Sequence, residues 1–211
     1  MPSHVILNIA VSLDGKTGKE GKQIEFLSRM DRYRVHQLRG ESNAIMIDVD
    51  LIKEENPEIS VRKEVEEPYR VIVDAKAETP LDANILGGEG RVIIAVSRQA
   101  PRFKIDKLEE LENVETMVVG DYAINLPRLL ERLYETREIK NIFVERGGSL
   151  PGRMFKESLI NELYVSIIPS IIGKDGDPID IFDITLKKDI KLGLEGIIQY
   201  GEQVVLHYMI K

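Results

Sequence analysis

The sequence predicts an α/β fold in which a mixed, mostly parallel central sheet carries helices on both faces and ends in antiparallel strands at its C-terminal side. Three observations predict it. Short runs of β-branched and apolar residues recur along the chain, as strands do. Several runs are apolar at every position, which is typical of strands buried on both sides. Helical patterns separate most of the runs, but none separates the last two, which favours an antiparallel pair there.

The predicted strands share this short, β-branched, apolar character and are bounded by turn-forming or charged residues. They are residues 5–10, 44–47, 70–73, 92–96, 116–119, 142–144, 163–168 and 204–210.

Four segments predict helices. The clearest is 126–135, because its leucines recur at spacings of three and four residues, with Pro127 in the first turn. A second begins at Ser28, which with Asp31 three residues later suits a helix start, and it ends near Gly40. The two weaker patterns are 153–160 and 104–112.

Composition limits what the protein does. Its 211 residues, 43% of them apolar, are enough for one substantial core, and no linker divides the chain, so a single domain over 1–211 is expected. With 29 Lys and Arg against 36 Asp and Glu, the net charge of −7 argues against nucleic acid or an acidic membrane as partner. The absence of Cys excludes disulfides, thiolate nucleophiles and Cys-based metal sites, and no other pattern predicts a metal.

The first apolar run, 5–13, has no basic leader and no small-residue cleavage site, so it is not a signal peptide. No window approaches the ~20 apolar residues that a spanning helix needs. We therefore expect a cytoplasmic protein.

Residues 10–17, AVSLDGKT, satisfy a relaxed phosphate-loop pattern, which would indicate a nucleotide triphosphatase. That mechanism needs a helix to begin at the Gly-Lys-Thr, so that its first amides hold the phosphates. Instead, Thr17 is followed by Gly18, Lys19, Glu20 and Gly21, a helix-breaking and charged stretch. The segment is better interpreted as a strand followed by a turn.

Seven blocks in order resemble the reductase family of riboflavin biosynthesis, which has the dihydrofolate reductase fold. They span nearly the whole chain, and together they are specific although no single block is. They are NIAVSLDGK (8–16), RVHQLR (34–39), NAIM (43–46), NPEISVR (56–62), YRVIVD (69–74), VERGGSL (144–150) and IIPSIIG (167–173).

The resemblance implies an enzyme that uses NADPH, with NADH as the other possibility, to reduce the ribosyl group of a ribosylaminopyrimidine 5′-phosphate to a ribityl chain. The hydride goes to the imine carbon of the ring-opened ribosylamine, so the protein must align the two carbons and exclude water. The family also implies a phosphorylated pyrimidine as the small-molecule partner, and a homodimer.

On the substrate side the family pattern is intact. Arg39 and Arg62 match arginines that contact the substrate, and their guanidinium forks suit a sugar phosphate. The other matching positions are Ile59 and Lys16 as substrate contacts, with Asp14 and Glu145 as catalytic residues.

On the cofactor side the sequence departs from the family. The positions that match cofactor contacts are Ala10, Asp48, Leu51, Glu55, Ala75, Arg146, Gly147, Gly148 and Ser149. The family has Gly-x-x-Thr or Gly-x-Gly-Thr here, so Asp48 stands for the first Gly, Leu51 for the Thr, and Asp50 for a position that is Gly in one of the two patterns. Ala75 stands for a Ser, and Arg146 for the first Gly of a triple glycine. Acids near a polyanionic ligand are unfavourable, whereas Arg146 would offset them.

Two functions therefore stay open. The first is a working reductase of this family. The alternative is a divergent paralogue with altered or lost dinucleotide binding, which has a different substrate or a binding role. His36 and His207 lack a flanking ligand pattern and are interpreted as structural.

Overall fold

The protein is described from a computed structural model. The structure describes residues 3–19, 22–23, 28–59, 67–88, 90–145, 147, 149–174, 176–177 and 189–211. Its strands are β1 (His4–Ser12), β2 (Gly18–Lys19), β3 (Lys22–Gln23), β4 (Ala44–Asp48), β5 (Tyr69–Val73), β6 (Val92–Val96), β7 (Val114–Val118), β8 (Asn141–Val144), β9 (Glu162–Ile168), β10 (Gly176–Asp177), β11 (Leu192–Tyr200) and β12 (Gln203–Ile210). Its helices are α1 (Arg29–Glu41), α2 (Val49–Glu55), α3 (Arg102–Glu109), α4 (Leu126–Arg137) and α5 (Leu150–Lys156), with a 3₁₀ turn at Asn84–Leu86.

Within the described residues, nine strands form one sheet in the order β11-β12-β9-β1-β8-β4-β5-β6-β7. The pairs from β9 to β7 are all parallel, whereas β12 runs antiparallel to both β9 and β11. The predicted fold class is therefore confirmed. β1 lies in the middle of the sheet, between β8 and β9, so its side chains are buried under both layers of helices.

Alternation along the strands sends side chains to two layers. One layer packs the odd positions of β1, such as Val5 and Leu7, against α4 and α5. Four leucines of α4 are at most 2% exposed, and each such burial contributes about 1.5–3 kcal/mol. The opposite layer holds α1, α2 and α3, and the candidate site lies on this side.

The N-terminus of α1 confirms half of its predicted cap. Ser28 Oγ accepts hydrogen bonds from the backbone N–H groups of Met30 and Asp31, as expected. Asp31 does not complete a capping box, because its carboxylate is buried against Arg34 and Gln203. The Ser28 N–H donates instead to Gln203 Oε1.

Apart from the two-residue strands β2, β3 and β10 and the 3₁₀ turn at Asn84–Leu86, two elements were not predicted, and a third is displaced. α2 follows Asp48 directly, in a segment that the family resemblance predicts to be a cofactor loop. β11 forms a hairpin with β12 at the edge of the sheet. α5 occupies Leu150–Lys156 rather than 153–160, because Pro151 lies inside its first turn and Ser158 has a positive φ. Among the residues that the structure describes, none of the helices has both the length and the apolar composition to cross a bilayer.

Candidate functional site

A cleft opens on the α1 side of the sheet, above β1, β8 and β4. Its volume is about 130 Å³, below the roughly 300–1,000 Å³ of pockets that hold whole drug-sized ligands, so the described residues enclose only part of a nucleotide-sized ligand. Strand side chains form the floor, and residues of α1, α2 and the segment after α2 form the walls. The lining residues are Asn8, Val35, Arg39, Ile47, Leu51, Glu55, Pro57, Glu58, Ile59, Phe143 and Glu145.

An ion pair crosses this cleft. Arg39 lies in the last turn of α1 and Glu145 directly follows β8, and Arg39 Nε donates to Glu145 Oε1 at 2.6 Å. Glu145 shares a sheet face with Phe143, two residues earlier, and the Arg39 guanidinium lies 5.9 Å from the centre of that ring. Both partners are mostly buried, with 17% and 11% of their side chains exposed. The cleft therefore holds a guanidinium fork and a carboxylate fixed by each other.

The predicted substrate residue Ile59 lies in the same cleft, as do Leu51 and Glu55 from the predicted cofactor set. Leu51 also packs in the core beneath α2 and is 5% exposed. The predicted contact Arg62 lies outside the described residues.

The loop after β1 is a turn held by hydrogen bonds to Asp14. Asp14 Oδ1 accepts from Ser12 Oγ at 2.7 Å, and the backbone N–H groups of Ile172 and Gly173 also donate to this carboxylate. These bonds, the Ser12 bond first, lower the pKa of Asp14 to about 2. Asp14 is therefore an anion at neutral pH and joins the β1 turn to the segment after β9. Lys16 lies in the same loop, where its N–H donates to Ser12 Oγ.

Neither Asp14 nor Lys16 lines the cleft as the described residues form it. The structure of this loop also contradicts a phosphate-loop function for residues 10–17. Residues 13–15 form a turn and 18–19 a short strand, so no helix begins at Gly15-Lys16-Thr17.

Asp48 lies at the end of β4, where it joins two helix starts. Its Oδ1 accepts from Asp50 N at 3.1 Å, which caps α2. Its Oδ2 accepts from Ser149 N, Ser149 Oγ and Leu150 N at 3.0, 3.2 and 2.9 Å, which ties the start of α5 to the same carboxylate. Asp48 is 4% exposed. The carboxylate is thus bound within the protein rather than presented to a ligand.

The other predicted cofactor positions are spread along neighbouring strand ends. Ala10 is fully buried within β1, and the Ala75 carbonyl accepts from Ser97 N and Ser97 Oγ. Gly147 has φ +113°, a backbone conformation that favours glycine. Arg146 and Gly148 lie outside the described residues.

These observations test whether the residues fit the expected dinucleotide. Backbone N–H groups at a helix start are the donors that hold phosphate in nucleotide sites. At the junction of α2 and α5, Asp48 already takes the N–H groups of Asp50, Ser149 and Leu150. The residues at this junction therefore do not fit a phosphate of the cofactor. Asp50 points outward instead, with 53% of its side chain exposed and its Oδ1 3.6 Å from Lys53 Nζ.

Sequence reasoning missed the lining residues Asn8, Val35, Ile47, Pro57, Glu58 and Phe143, and also Arg34 behind the cleft. Asn8 lines the cleft floor, and Arg34 of α1 binds it from behind, with Arg34 Nη2 2.7 Å from Asn8 Oδ1. The available signal was a polar residue that interrupts an apolar strand. Only Asn8 and Ser12 do so between Val5 and Leu13.

A second polar cluster lies beside the site, on β9 and its neighbours. Glu162 Oε2 lies 2.6 Å from His4 Nε2, and Glu162 Oε1 accepts from the Tyr164 hydroxyl at 2.8 Å. His207 stacks on the Tyr164 ring at 4.2 Å. Burial raises the pKa of Glu162, but the hydrogen bonds from His4 and Tyr164 outweigh it and hold that pKa below its ordinary value. His207 Nε2 also lies 2.6 Å from Glu162 Oε1, so His207 belongs to this cluster, whereas His36 is not among the described residues that line the cleft.

Comparison with known proteins identifies the family. The model of the RibD C-terminal domain family matches residues 3–206. A curated relative from Methanothermobacter thermautotrophicus, named 2,5-diamino-6-ribosylamino-4(3H)-pyrimidinone 5′-phosphate reductase, is 32% identical over the full length of both chains. A relative of the same name from Archaeoglobus fulgidus is 33% identical over 84% of this chain and 85% of its own.

Solved structures with a similar fold include a RibD protein. The structure of Acinetobacter baumannii RibD superimposes with a TM-score of 0.83 at 23% identity, and the match covers 99% of this chain. This chain spans only 58% of the length of that RibD protein. The expected family is therefore confirmed by sequence and by fold: this chain belongs to the RibD C-terminal domain family, the reductases of riboflavin biosynthesis that the seven sequence blocks resemble.

Proposed function

We propose that this chain reduces the ribosyl group of a ribosylaminopyrimidine 5′-phosphate to a ribityl chain, as a step of riboflavin biosynthesis. The observation that carries the proposal is the Arg39–Glu145 pair in the cleft of a chain that matches named reductases over its full length. A reduced nicotinamide dinucleotide, NADPH before NADH, is the proposed source of the hydride. We also propose that the protein acts in the cytoplasm.

Different cleft residues are proposed to bind different groups of the substrate. The Arg39 guanidinium has five N–H donors, and the bond to Glu145 uses one of them, so the fork still suits a phosphate or a sugar oxygen. The Glu145 carboxylate accepts from Arg39 and keeps further acceptor positions for sugar hydroxyls or pyrimidine amino groups. Ile59 and Leu51 supply an apolar wall that excludes water from the reacting carbon.

Asp14, Lys16 and Arg62 complete the proposed substrate side. Asp14 is ionised at neutral pH, so its proposed catalytic role is to stabilise positive charge rather than to donate a proton. Glu145 is the second proposed catalytic residue, because its carboxylate lies in the cleft itself, where it accepts from Arg39.

A second function is favoured by one specific observation, the buried Asp48 carboxylate at the junction of α2 and α5. A divergent paralogue that keeps the substrate cleft but binds the dinucleotide weakly or differently would have this feature. Such a protein would bind the phosphorylated pyrimidine without reducing it, or would reduce another substrate.

One pair of measurements separates the two functions. Titrating the purified protein with NADPH and with NADH reports dinucleotide binding through the cofactor fluorescence. Adding the pyrimidine substrate then reports turnover through the loss of near-ultraviolet absorbance of the reduced nicotinamide. Saturable binding with substrate-dependent oxidation supports the reductase, whereas substrate binding with no dinucleotide binding supports the paralogue.

We also propose a homodimer that pairs through the sheet edge at β11. This edge strand exposes apolar side chains, with Leu194 53% and Ile197 63% exposed. Light scattering at two protein concentrations tests it, and a constant monomer mass would contradict it.

A further inference from the structure

A buried polar network connects helix α1 to the floor of the cleft. The Arg34 guanidinium lies against Asp31, with Nε 2.8 Å and Nη2 2.7 Å from Asp31 Oδ1. Arg34 Nη2 also donates to Asn8 Oδ1 at 2.7 Å and to Ser166 Oγ at 3.2 Å. Arg34 is 7% exposed and Asn8 3%, so water does not compete for these bonds.

The far side of the network fixes Asp31. Asp31 Oδ2 accepts from Ser166 Oγ at 2.8 Å and from Gln203 Nε2 at 2.6 Å. Both oxygens of this fully buried carboxylate are therefore engaged. The network joins α1 to three strands, β1, β9 and β12, so the position of Arg34 is set by four elements of the fold.

The chemistry of arginine then sets the orientation of Asn8. A guanidinium has donors but no acceptor, so the Asn8 side chain must present its carbonyl oxygen to Arg34. Because the amide group is planar, its NH₂ lies on the other side of the same side chain. Asn8 lines the cleft that holds Arg39 and Glu145. The network thus uses the acceptor of Asn8 and leaves its donor for the cleft.

Stability alone does not account for this arrangement. A buried ion pair is often no more stabilising than apolar residues of the same volume, because both charges lose their hydration. Within the part of the chain that the structure describes, Arg34 Nη1 is also buried without a hydrogen-bond partner, which adds a further unfavourable contribution. An apolar pair at 31 and 34 would pack there without that penalty, but it would leave the Asn8 amide free to rotate.

We propose that Arg34 is a positioning residue: held by Asp31, it fixes the Asn8 amide so that its NH₂ donates to an acceptor oxygen of the bound substrate. The identity of that substrate rests on the proposed function, whereas the hydrogen bond from Arg34 to Asn8 does not. Arg34 itself stays behind the floor of the cleft.

Three substitutions test the proposal through steady-state kinetics. Arg34→Met removes the donor, Asn8→Asp keeps an acceptor for Arg34 but removes the NH₂, and Asn8→Ala removes both groups. Each raises KM about tenfold, the effect of one lost hydrogen bond, and changes kcat by less than about threefold. The double variant Arg34→Met with Asn8→Ala raises KM about tenfold rather than a hundredfold, because both changes remove the same contact. Arg34→Lys, which keeps a charged donor, restores most of the affinity.

Arg70→Met is the matched control. Arg70 is also a buried arginine, 8% exposed and paired with Glu67 three residues away, but it lies on β5, outside the cleft lining. The Arg70→Met variant should lose about as much thermal stability as Arg34→Met, while its KM stays within about twofold of wild type. An equal rise in KM for Arg34→Met and Arg70→Met would mean that the effect is general destabilisation, and would overturn the proposal.

A second measurement needs no turnover. The side-chain NH₂ resonances of Asn8, assigned by their loss in Asn8→Asp, shift or broaden in Arg34→Met and return in Arg34→Lys. Unchanged Asn8 resonances in Arg34→Met overturn the proposal even if the wild-type enzyme is active. If the wild type proves inactive on the pyrimidine, the proposed function fails while these resonances still decide the role of Arg34. If Arg34→Met does not fold, the KM values of Asn8→Asp and Arg34→Lys are compared instead. An unchanged KM in Asn8→Asp would contradict a donor role for the Asn8 NH₂.

Discussion

Two buried carboxylates at the carboxyl ends of adjacent strands have opposite roles in this molecule. Glu145 follows β8 and binds a side chain, the Arg39 guanidinium, so it stays at the wall of an open cleft. Asp48 ends β4 and binds backbone N–H groups of two helices, so it closes the space at their starts. An acid at the end of a strand therefore becomes a ligand-binding group or a structural cap according to its hydrogen-bond donors.

The largest expected effect is on stability at the cap. Asp48→Ala leaves the N–H groups of Asp50, Ser149 and Leu150 without their acceptor, which lowers the free energy of unfolding by about 3 kcal/mol. Asp50→Ala is the control, because among the described residues its exposed carboxylate makes only a long contact with Lys53, and the change is within about 0.5 kcal/mol. Urea denaturation measures both. Equal losses in the two variants would contradict the role of Asp48 as a cap.

The next effect belongs to the cleft. Arg39→Met removes the guanidinium and leaves Glu145 without its charged partner, so we expect substrate KM to rise between about 10- and 100-fold. Arg39→Lys keeps the charge without the fork and should recover only part of this loss. Initial-rate kinetics measure it, and a KM that stays at the wild-type value in folded Arg39→Met would remove Arg39 from the substrate site.

A smaller effect concerns cofactor affinity. Asp48→Gly frees three backbone N–H groups and removes a buried charge, so we expect the Kd for NADPH to fall about tenfold. Asp50→Asn removes an exposed charge two residues away and should change Kd by less than about twofold. Fluorescence titration measures both. Tighter binding in Asp50→Asn but not in Asp48→Gly would show that charge, rather than occupancy of the N–H groups, limits binding.

The smallest effect is on pH dependence. The pKa of Glu162 is lowered in the folded protein, so its ionised form stabilises the fold above the ordinary pKa of about 4.5, and that contribution is lost as the pH falls through the folded pKa. Wild type should lose more thermal stability than Glu162→Gln between about pH 6 and pH 3. Thermal melts across this range measure the difference. Parallel pH profiles for the two proteins would mean that the cluster with His4 and Tyr164 does not couple to folding.

The sheet was largely readable from the sequence, because buried strands are short apolar runs and eight of them were found. α2 was missed because Asp48, Asp50 and Leu51 were interpreted as a departure from a cofactor loop. The same Asp48 is a good N-cap, and that signal would have found the helix. β11 was missed because Gly193 and Gly196 interrupt its alternation of apolar residues.

The site was predicted only in part. Arg39, Glu145, Ile59, Leu51 and Glu55 do line one cleft. The network around Arg34 could not be predicted, because it unites residues from four elements, and nothing local to Asn8 indicates that Ser166 or Gln203 will lie nearby. The hydrogen bonds of Asp48 with Ser149 and Leu150 span about a hundred residues and depend on the sheet order in the same way.

The central place of β1 has a consequence for biosynthesis. β1 is synthesised well before its two neighbours in the sheet, β8 and β9, which begin only at Asn141 and Glu162. The hydrogen-bond partner of Asp31, Gln203, is synthesised later still, 172 residues after Asp31. The floor of the cleft therefore cannot be completed until β12 has emerged, and a nascent protein shortened before β12 would lack a formed site even with every cleft-lining residue present.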